Sequence, residues 1–254
     1  MEKIKIAAIQ AYGMPGEYDE NFKKAEKYIQ TAKEADAQCI LFPELYSCGF
    51  VPNPSVWKYA ETKNGPTYRF IIEMTRKYHI AIGIGYLEKV GKHYCNRYLM
   101  MAPNGVELAR AEKNKSEAYV FRRGRGAHVF ETQYGKIGIG LCADNHFSSF
   151  IKSMQKNNIN LLIMPHALPI PKNETEIISK EDIRRIKNNI EEFPILVSNL
   201  LGVPTIFINQ TGPFSSMIGI MVICSHQNRI SLAGIPKLLI MKVLSCRKFE
   251  RVKV

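Results

Sequence analysis

Hydrophobic positions along the 254-residue chain recur with two spacings, either every second residue or every third or fourth residue. The first spacing predicts β-strands and the second predicts amphipathic helices, because these are the periods at which side chains return to one face. The predicted strands are 4–10, 39–43, 80–85, 97–102, 106–113, 129–132, 136–141, 160–164, 205–208, 217–224, 229–233 and 238–244. Helices are predicted at 17–35, 66–78, 147–157 and 177–192, with a separate short helix at 194–200 that begins with Pro194.

The predicted strands and helices interleave along the chain without a linker, a low-complexity tract or an internal repeat. This order favours a single α/β domain over residues 1–254, in which helices cover a sheet system. A hairpin turn is predicted at 103–105, and the tenth and eleventh strands are predicted to form a hairpin around Gln227 and Asn228. The Pro-rich loop 167–176 is interpreted as a connector rather than a lid.

Composition narrows the classes of protein that need to be considered. Hydrophobic residues at 46% and charged residues at 23% are ordinary values for a globular domain. Lysine and arginine outnumber the acids by 35 to 23, but the basic residues are scattered, which favours a basic solvated surface over a nucleic-acid or membrane partner. No apolar run approaches the roughly 18 residues of a membrane span, and the first residues do not resemble a signal peptide. We therefore expect a cytoplasmic protein.

Cysteine usage argues against metal chemistry and against a disulfide framework. The six cysteines form no C-x-x-C pair and have no histidine at a spacing suited to zinc. We expect free thiols, most of them small buried residues, and we predict neither a metal site nor a cofactor. The cysteines are Cys39, Cys48, Cys95, Cys142, Cys224 and Cys246.

Three reactive side chains follow predicted strands, where α/β enzymes tend to place their chemistry. They are Glu44 in CILFPELYSCGF, Lys113 in ELARAEKNKSE and Cys142 in IGIGLCADN. A thiol has an unperturbed pKa of about 8.5, so a carboxylate that takes its proton and an ammonium that stabilises an oxyanion complete a mechanism. The backbone N–H that follows Cys142 would donate to the same oxyanion, and the small Ala143 leaves that approach open.

The stretches FPELYSCGF, NGVELARAEKNKSEAYVFRRG and GKIGIGLCADNHF resemble the nitrilase, or carbon–nitrogen hydrolase, superfamily. The resemblance implies an α/β fold with a four-layer α-β-β-α sandwich. It also implies a triad of Glu44, Lys113 and Cys142 that hydrolyses amides, carbamoyl groups or nitriles through a thioester or thioimidate. Lys113 lies eight residues after Gly105, which is the family's spacing and selects it over Lys115.

Further residues are assigned by the same resemblance. Glu117 with Phe121 and Gly124 resembles the family's E-x-x-x-F-x-x-G, whose glutamate is a supporting acid beside the triad. The stretch 161–169 resembles the strand and loop that flank the substrate pocket. His166 is a pocket candidate because it follows the end of a predicted strand, although a loop histidine with satisfied hydrogen bonds is the favoured alternative. Family members commonly dimerise through helices beside the site, so we expect a homodimer or a higher homo-oligomer.

Several departures from the family pattern bear on the shape of the pocket. Ala143 stands where the family usually has an aromatic residue before an aspartate, here Asp144. The family often continues with Phe-Pro-Glu, whereas this chain has a serine pair after Phe147. The loop between Lys113 and Glu117 is also shorter than usual. The substrate is therefore not transferred from any one subfamily.

The expected activity is metal-independent hydrolysis of a non-peptide C–N bond in a small amide or N-carbamoyl compound, releasing ammonia or an amine. Nitrile hydrolysis on the same triad and a catalytically silent binding protein of the same fold remain as alternatives. A protease-like pair of Cys142 with His146 is less favoured, because nearness in sequence does not establish hydrogen-bond geometry.

Overall fold

The computed structural model describes residues 3–115, 119–212, 221–223, 232–233 and 241–247. The strands are β1 Lys3–Ile9, β2 Cys39–Leu41, β3 Ala81–Val90, β4 His93–Met101, β5 Glu107–Glu112, β6 Val129–Thr132, β7 Gly135–Ile139, β8 Leu161–His166, β9 Thr205–Asn209, β10 Met221–Ile223, β11 Leu232–Ala233 and β12 Met241–Arg247. The helices are α1 Tyr18–Glu34, α2 Pro66–Tyr78, α3 Ser148–Lys156 and α4 Lys180–Leu201, with short 3₁₀ helices at Pro54–Tyr59 and Cys142–His146.

The strands form two sheets. One has the order β11-β12-β1-β2-β3-β4-β5 and the other has the order β10-β9-β8-β7-β6. In the first sheet β1, β2 and β3 run parallel, and in the second β7, β8 and β9 do so, while the outer strands pair antiparallel. The carboxyl ends of each parallel set therefore meet at one edge, and this is where the candidate residues emerge.

The two sheets pack face to face and carry helices on their outer sides. Ile6, Leu41 and Tyr98 from the seven-stranded sheet share one apolar cluster with Ile139 and Ile163 from the five-stranded sheet. A second cluster joins the other face of the first sheet to α1 and α2, and a third joins the second sheet to α3 and α4. The resulting layer order, α-β-β-α, confirms the predicted four-layer sandwich.

The helices follow their apolar periodicity. On α1, Ala25, Ile29 and Ala32 repeat at three- and four-residue spacing and are fully buried against the first sheet. Helix α2 has the predicted bounds, beginning at Pro66, whose missing N–H is tolerated in the first turn, and ending before His79 in the left-handed conformation. None of the helices in the described ranges is both long and apolar enough to cross a membrane.

Helix α4 corrects the prediction of two helices separated at Pro194. The helix is continuous from Lys180 to Leu201 with Pro194 inside it, and it begins with a capping box formed by Ser179 and Asp182. Proline removes one backbone hydrogen bond. Apolar residues on both sides of it nevertheless pack into the same cluster on the second sheet, and this burial keeps the two parts in one helix.

Two strand predictions are also corrected. The tenth and eleventh strands do not form a hairpin, because β10 pairs with β9 in one sheet and β11 pairs with β12 in the other. Gln227 and Asn228 lie outside the described residues. Pro165, predicted to end a strand, lies within β8. The pairing of β8 with β7 ends at Ile163, so the proline removes no hydrogen bond from that ladder.

Candidate active site

Glu44 is placed by a stretch of chain that crosses the end of β3. Glu44 follows β2 in the sequence, and the backbone from Pro43 to Leu45 lies directly against Gly85. A Cβ atom on Gly85 would lie 2.3 Å from the nitrogen of Leu45 and 2.6 Å from Cα of Glu44. Only glycine permits this approach, which fixes Glu44 at the edge of the sheet.

The Glu44 carboxylate is held by groups from both sheets. Its Oε1 accepts hydrogen bonds from Lys113 Nζ at 2.9 Å and from Asn96 Nδ2 at 2.8 Å. Its Oε2 accepts the backbone N–H of Ala167, which follows β8, at 2.8 Å. The Gln210 side chain donates to the Glu44 carbonyl at 2.7 Å. This arrangement leaves the carboxylate little freedom to rotate.

Lys113 follows β5 and faces the gap between the sheets. Glu44 and Lys113 are each only 1% exposed. An ammonium at this depth needs a counter-charge, and Glu44 supplies it. The backbone of Lys113 is fixed as well, because its N–H donates to the Asn96 carbonyl at 2.9 Å and its carbonyl accepts from Gly124 at 3.0 Å. Lys115, by contrast, is exposed and its Nζ lies 4.5 Å from the centroid of the Phe147 ring.

Cys142 begins the 3₁₀ helix that follows β7. Its φ of +45° lies in the left-handed region, which a non-glycine residue adopts only where the surroundings impose it. Of the four cysteines whose side chains the structure describes, Cys142 alone is partly exposed. Burial raises the pKa of the Cys39 thiol to about 12 and that of Cys48 well above its ordinary value. Cys142 is therefore the described thiol best placed to react.

The turn after Cys142 is fastened to the strand before it. Asn145 Nδ2 donates to the Gly140 carbonyl at 2.7 Å and to the Cys142 carbonyl at 3.1 Å. A Cβ on Gly140 would lie 2.0 Å from Asn145 Oδ1, so the glycine that precedes the turn is required by packing. These contacts hold the turn against the end of β7.

Asp144 joins the Cys142 turn to the chain that follows Lys113. Its Oδ1 accepts the N–H groups of Lys115 at 2.6 Å and of Asn114 at 3.1 Å, and the side chain is fully buried. Burial raises the pKa of Asp144, while the neighbouring His128, the two backbone N–H groups and Lys113 oppose that rise. Glu44, Lys113 and Cys142 are thereby brought to one end of the sandwich.

A family model described as carbon-nitrogen hydrolase matches residues 5–180. The chain belongs to the carbon-nitrogen hydrolase family. Its sequence is 27% identical over 174 residues to a nitrilase of Pyrococcus abyssi, covering 66% of each chain. It is 26% identical over 214 residues to a citrullinase of Francisella tularensis, covering 78% of this chain and 74% of the relative.

Solved structures of the family share the fold. An amidase from Nesterenkonia sp. superposes with a TM-score of 0.73 at 18% identity, covering 96% of this chain and 90% of the amidase. A member of branch 10 of the nitrilase superfamily from Saccharomyces cerevisiae superposes with a TM-score of 0.78 at 17% identity, with the same two coverages of 96% and 90%. These likenesses establish the arrangement of the sandwich.

The other residues predicted for the site of this carbon-nitrogen hydrolase are Ala143, Glu117 and His166. Ala143 is partly exposed beside Cys142, whereas Glu117 lies outside the described residues. His166 ends β8, but its ring is fully buried against Phe207. Burial lowers the pKa of His166 to about 3, so the ring is neutral. Among the described residues, no group of three His, Cys, Asp or Glu side chains is arranged to hold a metal ion.

Three contributors to the site were not predicted from the sequence. Asn96 could have been identified from the sequence. It alternates along β4 with Tyr98 and Met100, which face the core between the sheets, and a polar residue on that apolar face is unusual. Gln210 lies just after β9, where the sequence predicts only the end of a strand. His128 precedes β6, and no local pattern distinguishes it from a surface residue.

Proposed function

We propose that this protein is an enzyme that hydrolyses a non-peptide C–N bond of a small amide or N-carbamoyl compound, with Cys142 as nucleophile. The observation that carries the proposal is the buried Glu44–Lys113 pair, with its 2.9 Å contact, at the end of the sandwich where the partly exposed Cys142 emerges. A carboxylate and an ammonium at this depth are costly to bury, and a neighbouring thiol gives both a chemical use.

The first half-reaction follows from these three residues. Glu44 takes the thiol proton, and the Cys142 sulfur forms a bond to the carbonyl carbon while the π electron pair moves to oxygen. Lys113 and the backbone N–H of Ala143 stabilise that oxyanion. Glu44 then returns the proton to the leaving nitrogen, the C–N bond breaks, and ammonia or an amine departs to leave a thioester.

The second half-reaction regenerates the thiol. Glu44 takes a proton from water, and the resulting hydroxide attacks the thioester carbon with the same oxyanion stabilisation. The C–S bond then breaks, the acid product leaves, and the thiolate recovers the proton from Glu44. Glu117, assigned by its family motif, would orient Lys113 or the attacking water.

The substrate class that we favour rests on the relatives. Relatives include an N-carbamoylputrescine amidase of Oryza sativa, 23% identical over 219 residues, and the citrullinase of Francisella tularensis. We favour amide and carbamoyl substrates accordingly. The similarity to the Pyrococcus abyssi nitrilase supports nitrile hydrolysis, through a thioimidate on the same triad, as the second candidate.

We also propose that the enzyme is a homodimer or a higher homo-oligomer. Helix α4 exposes Ile195, Leu196 and Leu200 at 41%, 54% and 52%, which is a large apolar surface for one helix. Light scattering during gel filtration should give at least twice the 28.9 kDa mass of the chain. A Leu196→Glu variant should elute as a monomer, and a wild-type mass of one chain would contradict the proposal.

The activity is tested by ammonia release across ω-amides, N-carbamoyl compounds, aliphatic amides and nitriles. At least one amide or carbamoyl compound should be hydrolysed, and Cys142→Ala should lower its turnover by at least about a thousandfold. Cys95→Ala is the matched control, because Cys95 is a buried thiol on β4 outside the site, and it should keep turnover per folded molecule. Full activity in Cys142→Ala would overturn the nucleophile assignment, and ammonia from no compound would favour the silent binding protein.

A further inference from the structure

His128 is anchored to the strand that leads to Cys142. Its Nδ1 lies 2.7 Å from the carbonyl oxygen of Ile139, three residues before the nucleophile. Because a carbonyl oxygen only accepts, Nδ1 carries the hydrogen. The His128 carbonyl in turn accepts the Ile139 N–H at 2.8 Å, so both the ring and the backbone of His128 are fixed on one residue of β7.

The other ring nitrogen of His128 faces Asp144. Nε2 lies 3.9 Å from Asp144 Oδ2, and it is buried with no hydrogen-bond partner among the described residues. The ring of Phe150 meets the imidazole edge-on at a centroid separation of 5.3 Å. The Nε2 edge of the imidazole therefore faces the Asp144 carboxylate.

The carboxylate that His128 faces already connects two parts of the site. Asp144 accepts the N–H groups of Asn114 and Lys115, the two residues directly after Lys113, and it lies two residues after Cys142. Those charge-assisted hydrogen bonds are strongest when Asp144 is ionised. Burial of the carboxylate works against ionisation, and His128 is the foremost of the groups that offset it.

We propose that His128 is a positioning residue, which through Asp144 holds the backbone after Lys113 against the turn that carries Cys142. The proposal rests on the proposed function of Cys142 and Lys113. Without His128, Asp144 would lose the foremost of the groups that favour its ionised form, so its hydrogen bonds to the two N–H groups would weaken and the ammonium would shift relative to the sulfur. A displacement of about 1 Å in such an arrangement lowers the rate by up to about a hundredfold.

Two substitutions separate this role from a purely structural one. His128→Asn places an amide nitrogen near the position of Nδ1, so it keeps the bond to Ile139 and loses the group that faces Asp144. His128→Gln reaches the position of Nε2, so it keeps a donor for Asp144 and loses the bond to Ile139. We expect kcat of His128→Asn to fall about tenfold to a hundredfold with KM within about threefold, while His128→Gln retains at least about a third of kcat. The reverse order, or a lowered melting temperature with unchanged kcat per folded molecule, would overturn the proposal.

Coupling to Asp144 is tested by a double-mutant cycle. If His128 acts through Asp144, then His128→Asn should reduce kcat by less than about twofold in an Asp144→Asn background. Losses that multiply in the double variant would show that the two residues act independently, which contradicts the proposal. Melting temperatures of all four proteins identify any variant that fails to fold.

Alkylation of Cys142 by iodoacetamide separates failure of this proposal from failure of the proposed function, since it needs no substrate. If wild-type Cys142 reacts no faster than the other cysteines, the proposal that Cys142 is an activated nucleophile is wrong. If wild-type Cys142 reacts fast and His128→Asn reacts equally fast, only the positioning role is wrong. The expected result is a fast wild-type rate, a rate near it in His128→Gln and a rate at least about fivefold lower in His128→Asn.

Discussion

Two buried clusters of charge lie on opposite faces of the seven-stranded sheet, and neighbouring residues of the same strands supply them. Asn96 faces the gap between the sheets and contacts Glu44, whereas the next residue, Arg97, faces the helices and pairs with Glu88 and Glu112. Lys113, directly after Glu112, returns to the inner side and pairs with Glu44. The alternation of side chains along a strand therefore separates the two clusters.

The outer cluster is a network of glutamates and arginines. Glu88 contacts the guanidinium groups of Arg97 at 3.4 Å and Arg110 at 3.0 Å, and Glu112 contacts those of Arg97 at 3.0 Å and Arg122 at 2.8 Å. Arginine remains charged at every physiological pH, and its planar fork suits several carboxylates at once. Such a network joins β3, β4 and β5.

In the described part of the chain, the inner cluster pairs the Glu44 carboxylate with the Lys113 ammonium, and amide groups of Asn96 and Ala167 also donate to Glu44. The amide groups carry no net charge, and they orient the carboxylate. The comparison shows that burial of charge does not by itself mark an active site. The distinguishing features are a lysine in place of arginines and a partly exposed thiol at the same end of the sandwich.

The difference between the two clusters predicts that substitutions of Glu44 and of Glu88 have different effects on turnover. We expect Glu44→Gln to lower turnover by at least about a thousandfold, because the general base is lost. Glu88→Gln should keep at least about a third of the turnover per folded molecule. Both are measured by ammonia release on the best substrate of the panel. Equal losses in the two variants would show that the outer cluster also takes part in the reaction.

The outer cluster should instead dominate stability. Arg97→Met leaves Glu88 and Glu112 each without one guanidinium partner, and we expect the free energy of unfolding to fall by about 3 to 5 kcal/mol. Urea denaturation gives this value, with Lys152→Met on α3 as an exposed control that should change it by less than about 0.5 kcal/mol. A loss below about 1 kcal/mol would mean that the network contributes little.

Glu61 lies beside Glu88 of the outer cluster, and it should make the stability of the protein depend on pH. Burial, together with the charge of Glu88, raises the pKa of Glu61 to about 7, while its hydrogen bonds from Thr67 oppose the shift. Between its ordinary value and pH 7 the folded state holds a proton that the unfolded state lacks, so stability falls as pH rises. Relative to Glu61→Gln, the wild type should lose about 3 kcal/mol of unfolding free energy between pH 4.5 and 8. A parallel pH profile for the two proteins would contradict this assignment.

His166, near the inner cluster, should respond to pH in the opposite direction. Burial lowers its pKa to about 3, and the charge of Lys113 adds to that effect. Below pH 6.5 the unfolded state takes up a proton that the folded state does not, so stability falls as pH falls. Relative to His166→Asn, the wild type should lose about 2 kcal/mol of unfolding free energy between pH 7 and 5. An unchanged difference between the two proteins over that range would show that the ring is protonated in the fold.

Sequence patterns were sufficient for the layers and for the residues at strand ends. Glu44, Lys113 and Cys142 follow apolar strands whose carboxyl ends must meet, so their location could be predicted from local periodicity together with the family motifs. The pairing of β10 with β9 could not, because strand partners are set by tertiary packing. The continuity of α4 through Pro194 depended on burial of both of its halves, which periodicity alone does not weigh against the lost hydrogen bond.

The contacts that orient the site were the least accessible from sequence. Asn96 lies 52 residues from Glu44, and Asp144 lies about 30 residues from the backbone amides that it holds. Such pairs follow from the register of whole sheets. His128 has no motif around it, and its relation to Asp144 emerges only when β6, β7 and the loop after Lys113 are packed together.

The central claim is that Glu44 and Lys113 activate Cys142, and the rates at which the six cysteines are alkylated test it most directly. Brief exposure to iodoacetamide at neutral pH, followed by peptide mass analysis, gives all six rates in one experiment. Cys142 should react at least about tenfold faster than any other cysteine, and this advantage should disappear in Lys113→Met. If Cys142 reacts no faster than the buried cysteines, or equally fast without Lys113, the account is contradicted.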